Sequence, residues 1–141
     1  MIFYACPSKI DPLALNQMAH EECIFCRMNR SLLAETKLSC AFFDGFPITG
    51  GHSLVIPKRH VRSIWEMTAE EYNDAFSLAR TVKDLLLKQF SPDGFNIGVN
   101  CGEATGQTVF HAHIHIIPRY DGDVPNPRGG VRHIIPGKGT Y

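Results

Sequence analysis

Apolar positions along the chain fall into four short runs and one long periodic stretch. The first run, Leu38 to Phe43, is closed by Asp44-Gly45 and Pro47. The second, His52 to Ile56, follows a Gly50-Gly51 turn and stops at Pro57. Phe95 to Asn100 and Val109 to Ile117 are the third and fourth, the last one ended by Pro118. Short apolar runs bounded by glycine and proline predict strands. Between the second and third runs, Tyr72, Ala75, Phe76, Ala79, Val82, Leu85, Leu86 and Phe90 recur at three and four residues, which predicts one amphipathic helix. Thr68 opens it with Glu71 at capping-box spacing, and Ser91-Pro92-Asp93-Gly94 ends it.

The predicted order is short helix, two strands, long helix, two strands, tail. Each strand pair is joined by too few residues for a parallel crossover, so both pairs are expected to be antiparallel. The fold class is therefore α+β: an antiparallel sheet with one long helix over a face and a short N-terminal helix. Residues 1–20 read as an irregular arm. Residues 21–123 read as one domain that begins with a helical turn at 21–30. Residues 124–141, rich in proline and glycine, read as a tail with little regular structure.

Composition narrows the class. A chain of 141 residues with 44% hydrophobic and 20% charged positions suits one globular domain. A formal net charge of +0 argues against attachment to nucleic acid or anionic membrane by bulk charge. No apolar run approaches the roughly 20 residues of a membrane span. The first residues lack a basic start followed by an apolar stretch, so a cytoplasmic protein is expected. The five cysteines, an odd number, include one C-x-x-C pair, which in a reducing compartment favours a metal or redox site over a disulfide framework.

The densest chemistry lies in the fourth run, where His111, His113 and His115 alternate with Ala112, Ile114 and Ile116. In a strand, alternate side chains share a face about 7 Å apart. Three imidazoles on one face are hard to explain by packing, and near neutral pH each can serve as nucleophile, proton donor or metal ligand. The glycine-bearing loop Gly102 to Thr108 can offer backbone N–H groups to an anion or be an ordinary connection.

This pattern resembles the histidine triad (HIT) superfamily. His111-Ala-His113-Ile-His115-Ile-Ile117 is similar to its H-φ-H-φ-H-φ-φ motif. The flanks Gly106-Gln107-Thr108-Val109 and Pro118-Arg119-Tyr120, and the segment Gly51-His52-Ser-Leu-Val-Ile-Pro57-Lys58, are similar as well. The likeness spans residues 23 to 123 and is nearest to bacterial-type dinucleoside polyphosphate hydrolases. Ala112 is smaller than the usual residue there. The resemblance implies a nucleotide hydrolase or transferase that cleaves at an α-phosphate, on a purine dinucleoside polyphosphate or a nucleoside phosphoramidate. It implies His113 as the nucleophile, with His115 and His52 orienting it and binding phosphate. It assigns Asn100, Gln107 and Thr108 to the phosphates, Asp44 to the ribose, and Ile24, Phe25 and Phe42 to the base. It also implies a homodimer that extends the sheet through the long helix and the Phe95–Asn100 strand.

The spacing of Cys23-x-x-Cys26 lets two thiolates reach one ion, and a free buried pair is the alternative. Some HIT-related proteins, galactose-1-phosphate uridylyltransferases among them, carry such a pair with a histidine after the second strand and the first triad histidine on zinc. That likeness implies a structural Zn2+ on Cys23, Cys26, His60 and His111. His111 would then be structural, and the leaving group's proton must come from His115, water or the substrate. Two other readings compete with the enzyme: a nucleotide-binding sensor with negligible turnover, and a zinc-stabilised nucleic-acid module, which the charge balance disfavours.

Overall fold

The computed structural model describes residues 21–139. The expected arm at 1–20 lies outside the described residues. Five strands form one sheet: β1 (Ala34–Glu35), β2 (Ser39–Phe43), β3 (Ser53–Pro57), β4 (Gly94–Gly98) and β5 (Ile114–Arg119). Their spatial order is β1-β2-β3-β5-β4, with every neighbouring pair antiparallel. A single long helix, α1 (Ala69–Phe90), lies over β1, β2, β3 and β5. The domain opens with a helical turn in which the backbone N–H groups of Cys26 and Arg27 both donate to the Cys23 carbonyl.

Strand alternation builds the core on both sheet faces. Ala41, Val55, Ile114 and Ile116 point towards the helix and pack on Ala75, Leu78, Ala79, Val82 and Leu86. Each large side chain buried this way contributes roughly 1.5–3 kcal/mol. Phe42, Leu54 and Ile56 point to the other face, where Phe25 and Met28 cover them. The capping box forms as expected: Thr68 Oγ1 accepts from the Glu71 N–H, and the Glu71 carboxylate accepts from the Thr68 N–H. The helix stops at Ser91, which adopts a left-handed conformation at φ 49° ahead of Pro92. Gly51 in the β2–β3 turn has φ +86°, and a Cβ there would meet the Phe90 ring at 3.0 Å.

Three expectations need correction. The helix's buried face is rotated: Leu78 is buried, whereas Tyr72 is 38% exposed and stacks at the rim on Phe76. The fourth strand begins at Ile114, not Val109. Continuing the β3–β5 register would set Ala112 opposite Pro57, which has no N–H to give. The Pro57 carbonyl is also taken, by the His111 ring, and the Ala112 N–H donates to Val61 instead. Finally, Pro57 and Pro118 lie inside their strands rather than beyond them, paired with Ser39 and Phe95. The carbonyls of both prolines point away from those partners, to His111 and Thr49, so the missing N–H falls on the same unpaired side. Four elements carried no sequence signal: β1 and the 3-10 turns at Ile64–Glu66, Glu103–Thr105 and, in the tail, Gly130–Ile134.

Candidate active site

The face of the sheet opposite the helix carries the histidines. The ladder pairs His115 on β5 with Leu54, and His52, immediately before β3 and on the same face as Leu54, reaches the His115 ring diagonally. The extended stretch before β5 holds His111 and His113, and both are almost fully buried.

The hydrogen bonds fix where each ring can act. His113 Nδ1 lies 2.7 Å from the His111 carbonyl, an acceptor only, so Nδ1 carries the proton. The Nε2 lone pair of a neutral His113 is thereby left free for chemistry. The Ile48 N–H donates to His52 Nδ1 at 3.4 Å, so the His52 proton sits on Nε2. That nitrogen is 3.0 Å from His115 Nδ1 and 3.5 Å from Asp44 Oδ2. His115 thus accepts at Nδ1 and carries its own proton on Nε2. The two rings form a directed pair of donors, and the His115 ring stands edge-on to His113 with centroids 5.0 Å apart.

Burial pushes the pKa of His115 down to about 4, and positive charge on His113 or His52 would lower it further, against a weaker upward pull from Asp44. His52 is also pushed down by burial, with Asp44 opposing. Near pH 7 both rings are therefore neutral and act as donors of fixed direction.

His111 faces the other way. Its Nε2–H donates to the Pro57 carbonyl at 2.8 Å, which leaves Nδ1 unprotonated. That nitrogen lies 3.6 Å from Cys23 Sγ and 3.4 Å from Cys26 Sγ, and Cys26 Sγ is 3.4 Å from His60 Nδ1. The donor atoms of Cys23, Cys26, His60 and His111 all lie within 4.8 Å of one another, so the cluster could hold a metal ion. A carbonyl on the far nitrogen is the usual partner of a metal-binding imidazole. Without a cation, burial and the neighbouring Cys23 thiol push Cys26 up to about 12. A divalent cation among the four donors reverses that preference by stabilising the thiolate.

The expected substrate residues do not all meet in one place. Asp44, His52, Asn100 and His115 line a cavity of about 450 Å³. Ile24 and Thr108 line a second one of about 460 Å³, beside Cys23 and His60. Phe25 sits between, edge-on to His113 at 5.4 Å and to Phe42 at 5.7 Å. Phe42 is fully buried beneath it. Gln107 is spent on the backbone: its amide donates to the carbonyls of Arg62 and Val109 and its Oε1 accepts from the Gly102 N–H. Residues that sequence reasoning missed also reach the first cavity. Val131 and Ile134 of the tail roof it, and Asn96 lines its β4 side. The tail carries no hydrophobic period, so nothing in the sequence pointed to its docking on β4.

Comparison with known proteins agrees with the geometry. Residues 27–122 match the family model of the HIT domain. The chain is 47% identical over 88 residues to the bis(5'-nucleosyl)-tetraphosphatase [asymmetrical] of Schizosaccharomyces pombe, covering 62% of this chain and 48% of that protein. It is 39% identical over 114 residues to the adenosine 5'-monophosphoramidase of the same yeast, covering 77% and 79%. The crystal structure of a zinc-bound histidine triad family protein from Mycobacterium smegmatis superposes with a TM-score of 0.69 at 30% identity, covering 76% of this chain and 81% of that one. The chain belongs to the HIT family.

Proposed function

We propose that the protein hydrolyses nucleotides at the α-phosphorus through a covalent nucleotidyl-His113 intermediate. The observation that carries this is the Nδ1–H bond from His113 to the His111 carbonyl, which aims an unprotonated Nε2 away from the backbone. In the first half-reaction Nε2 attacks the α-phosphorus and the bond to the leaving atom breaks, the electron pair departing with the leaving group. A polyphosphate leaves as the anion. An amine takes up a proton from solvent, because a neutral His115 can donate a hydrogen bond from Nε2–H but cannot give up that proton without becoming an imidazolate. In the second half-reaction water attacks the phosphorus and the Nε2–P bond breaks. The nucleoside monophosphate is released and the water's proton passes to solvent. His115 acts as a neutral Nε2–H donor to the equatorial oxygens, His52 orients it by donating to its Nδ1, and Asn100 adds an amide. Asp44, at the mouth of the same cavity, holds the ribose hydroxyls. Phe25, over the buried Phe42, forms the apolar side of the base slot, while Ile24 on the same turn faces the second cavity. Thr108 contacts phosphate, whereas Gln107 shapes the loop that presents it.

The metal is Zn2+, and its role is structural. Cys23, Cys26, His60 and His111 would hold it, tying the first described turn to the sheet, and it takes no part in the transfer. The protein works as a homodimer. β4 is the sheet's edge strand and leaves Ile97 47% exposed, a surface that suits a second copy. The four described cysteines are all free thiols, which fits a cytoplasmic setting. Among the described residues no helix is long and apolar enough to cross a membrane.

The test is release of AMP from diadenosine tetraphosphate and from adenosine 5'-phosphoramidate, by wild type and by a folded His113→Ala variant. Release by wild type that drops by at least a thousandfold in the variant, with a trapped adenylyl-protein seen only in wild type, is the expected result. Equal release by both removes His113 from the mechanism. Binding without release by wild type replaces the enzyme with a nucleotide sensor.

A further inference from the structure

The second cavity, beside the metal cluster, has no part in the transfer step as described. Its walls come from three segments: Glu22 to Ile24, His60 with Arg62, and Thr108 to Phe110. The Arg62 guanidinium lies over the Phe110 ring, 4.8 Å from its centroid. Among the described residues Arg62 makes no ion pair with a carboxylate side chain. The cavity is also preformed. The buried Gln107 amide clamps one wall to the other, donating to the carbonyls of Arg62 at 2.7 Å and Val109 at 3.1 Å, and the Ala112 N–H donates to Val61 at 2.7 Å. An arginine stacked on an aromatic ring inside a rigid cavity is a platform for a flat base attached to a polyanion. The volume, about 460 Å³, lies in the range of small-molecule sites, roughly 300–1,000 Å³.

His113 makes ring contacts towards both cavities. It touches His115 on one side. On the other it touches Phe25, whose neighbour Ile24 lines the platform cavity. We propose that the Arg62–Phe110 cavity binds the second nucleoside of a dinucleoside polyphosphate, the half that departs when His113 takes the first. This rests on the nucleotidyl-transfer reading for its orientation, although the binding itself does not require turnover. Arg62, lying over Phe110, supplies the base-stacking face. Thr108 lines the same cavity. The site thus selects substrates by their leaving group: a dinucleotide fills both cavities, whereas a phosphoramidate fills one.

The experiment compares equilibrium binding of a non-hydrolysable diadenosine tetraphosphate with that of adenosine tetraphosphate, which has the same phosphates but no second base. The protein is used in wild-type, Arg62→Gln, Phe110→Leu and Phe110→Ala forms, with melting temperature and metal content checked for each. Wild type is expected to prefer the dinucleotide by about tenfold, the gain from stacking one further base. Arg62→Gln and Phe110→Leu should erase that preference while leaving adenosine tetraphosphate affinity within about threefold. In turnover, the variants should raise KM for the dinucleotide and leave kcat/KM for the phosphoramidate unchanged. No preference in wild type, or equal loss for both ligands in a folded variant, overturns the second-nucleoside site. Preference for the dinucleotide without hydrolysis of either substrate would instead refute the transfer reading and leave this site standing.

Discussion

Acid should weaken this fold through the buried His52–His115 pair, and the size of the effect follows from the geometry. His115 has a pKa near 4 when folded against the ordinary imidazole value of 6.5. Above pH 6.5 the ring is neutral in both folded and unfolded chains and makes no pH-dependent difference. As pH falls below 6.5, the unfolded chain takes a proton that the folded site refuses, until the folded ring itself titrates near 4. Stability is therefore lost across the window from pH 6.5 to 4. At roughly 1.4 kcal/mol per tenfold change in proton affinity, the gap between 6.5 and 4 corresponds to a ceiling of about 3 kcal/mol. His115 is not wholly sealed from solvent, so water at the cavity mouth screens part of this, and a loss of about 1.5 kcal/mol is expected from this ring. His52 shifts in the same direction and adds to it. The groups facing His115 are His113, His52 and Asp44, and only Asp44 opposes the trend. The assay is urea unfolding of metal-loaded protein at pH 7.0, 6.0, 5.0 and 4.5, for wild type and His115→Gln. NMR titration of the ring protons would run alongside. The variant should lose visibly less stability on acidification than wild type. A His115 resonance that titrates near 6.5, or parallel pH profiles for the two proteins, would refute the reasoning.

Further expectations follow from the same structure. Replacing both Cys23 and Cys26 with serine should abolish bound metal in elemental analysis and lower the melting temperature. Unchanged metal content would remove the zinc assignment. The Glu71 carboxylate caps the helix and pairs bidentately with Arg59, which holds its pKa at about 2. Glu71→Ala should cost about 2 kcal/mol in chemical unfolding near pH 7, a penalty that shrinks as pH falls from the ordinary value of 4.5 towards 2, where wild type loses the same carboxylate. Leu78→Ala should cost about 2–5 kcal/mol and Tyr72→Ala under half as much, since only Leu78 lies in the core. The reverse order would mean the helix sits rotated from the face described.

Much of this molecule was legible in its sequence because the information is local. The spacing of Ala75, Ala79, Val82 and Leu86 suffices to define an amphipathic helix, and Thr68 with Glu71 marks its start whatever lies around it. The short connection between β2 and β3 makes their antiparallel pairing readable from element order, whereas β4 and β5 are joined by the long stretch from Val99 to His113 and look like close neighbours in sequence only if β5 starts as early as expected. The H-x-H-x-H run, and its likeness to a known family, pointed to the chemistry before any contact was known.

What the sequence left open depends on groups distant along the chain that meet only on folding. No local pattern shows that the Pro57 carbonyl accepts from His111, so neither the early end of the β3–β5 ladder nor the tautomer of His111 was readable. The free Nε2 of His113 likewise depends on a 2.7 Å contact with backbone. The convergence of Cys23, Cys26, His60 and His111 spans 88 residues of chain, and the identity of the four was suggested only by resemblance. Strand β1, two residues long, has no period to detect. The tail's place over the first cavity is decided by packing on β4, and the split of the expected substrate residues between two cavities by the way residues 107–110 clamp onto residues 60–62. Periodicity reports which side of an element is buried; which atoms meet across elements is set by tertiary packing alone.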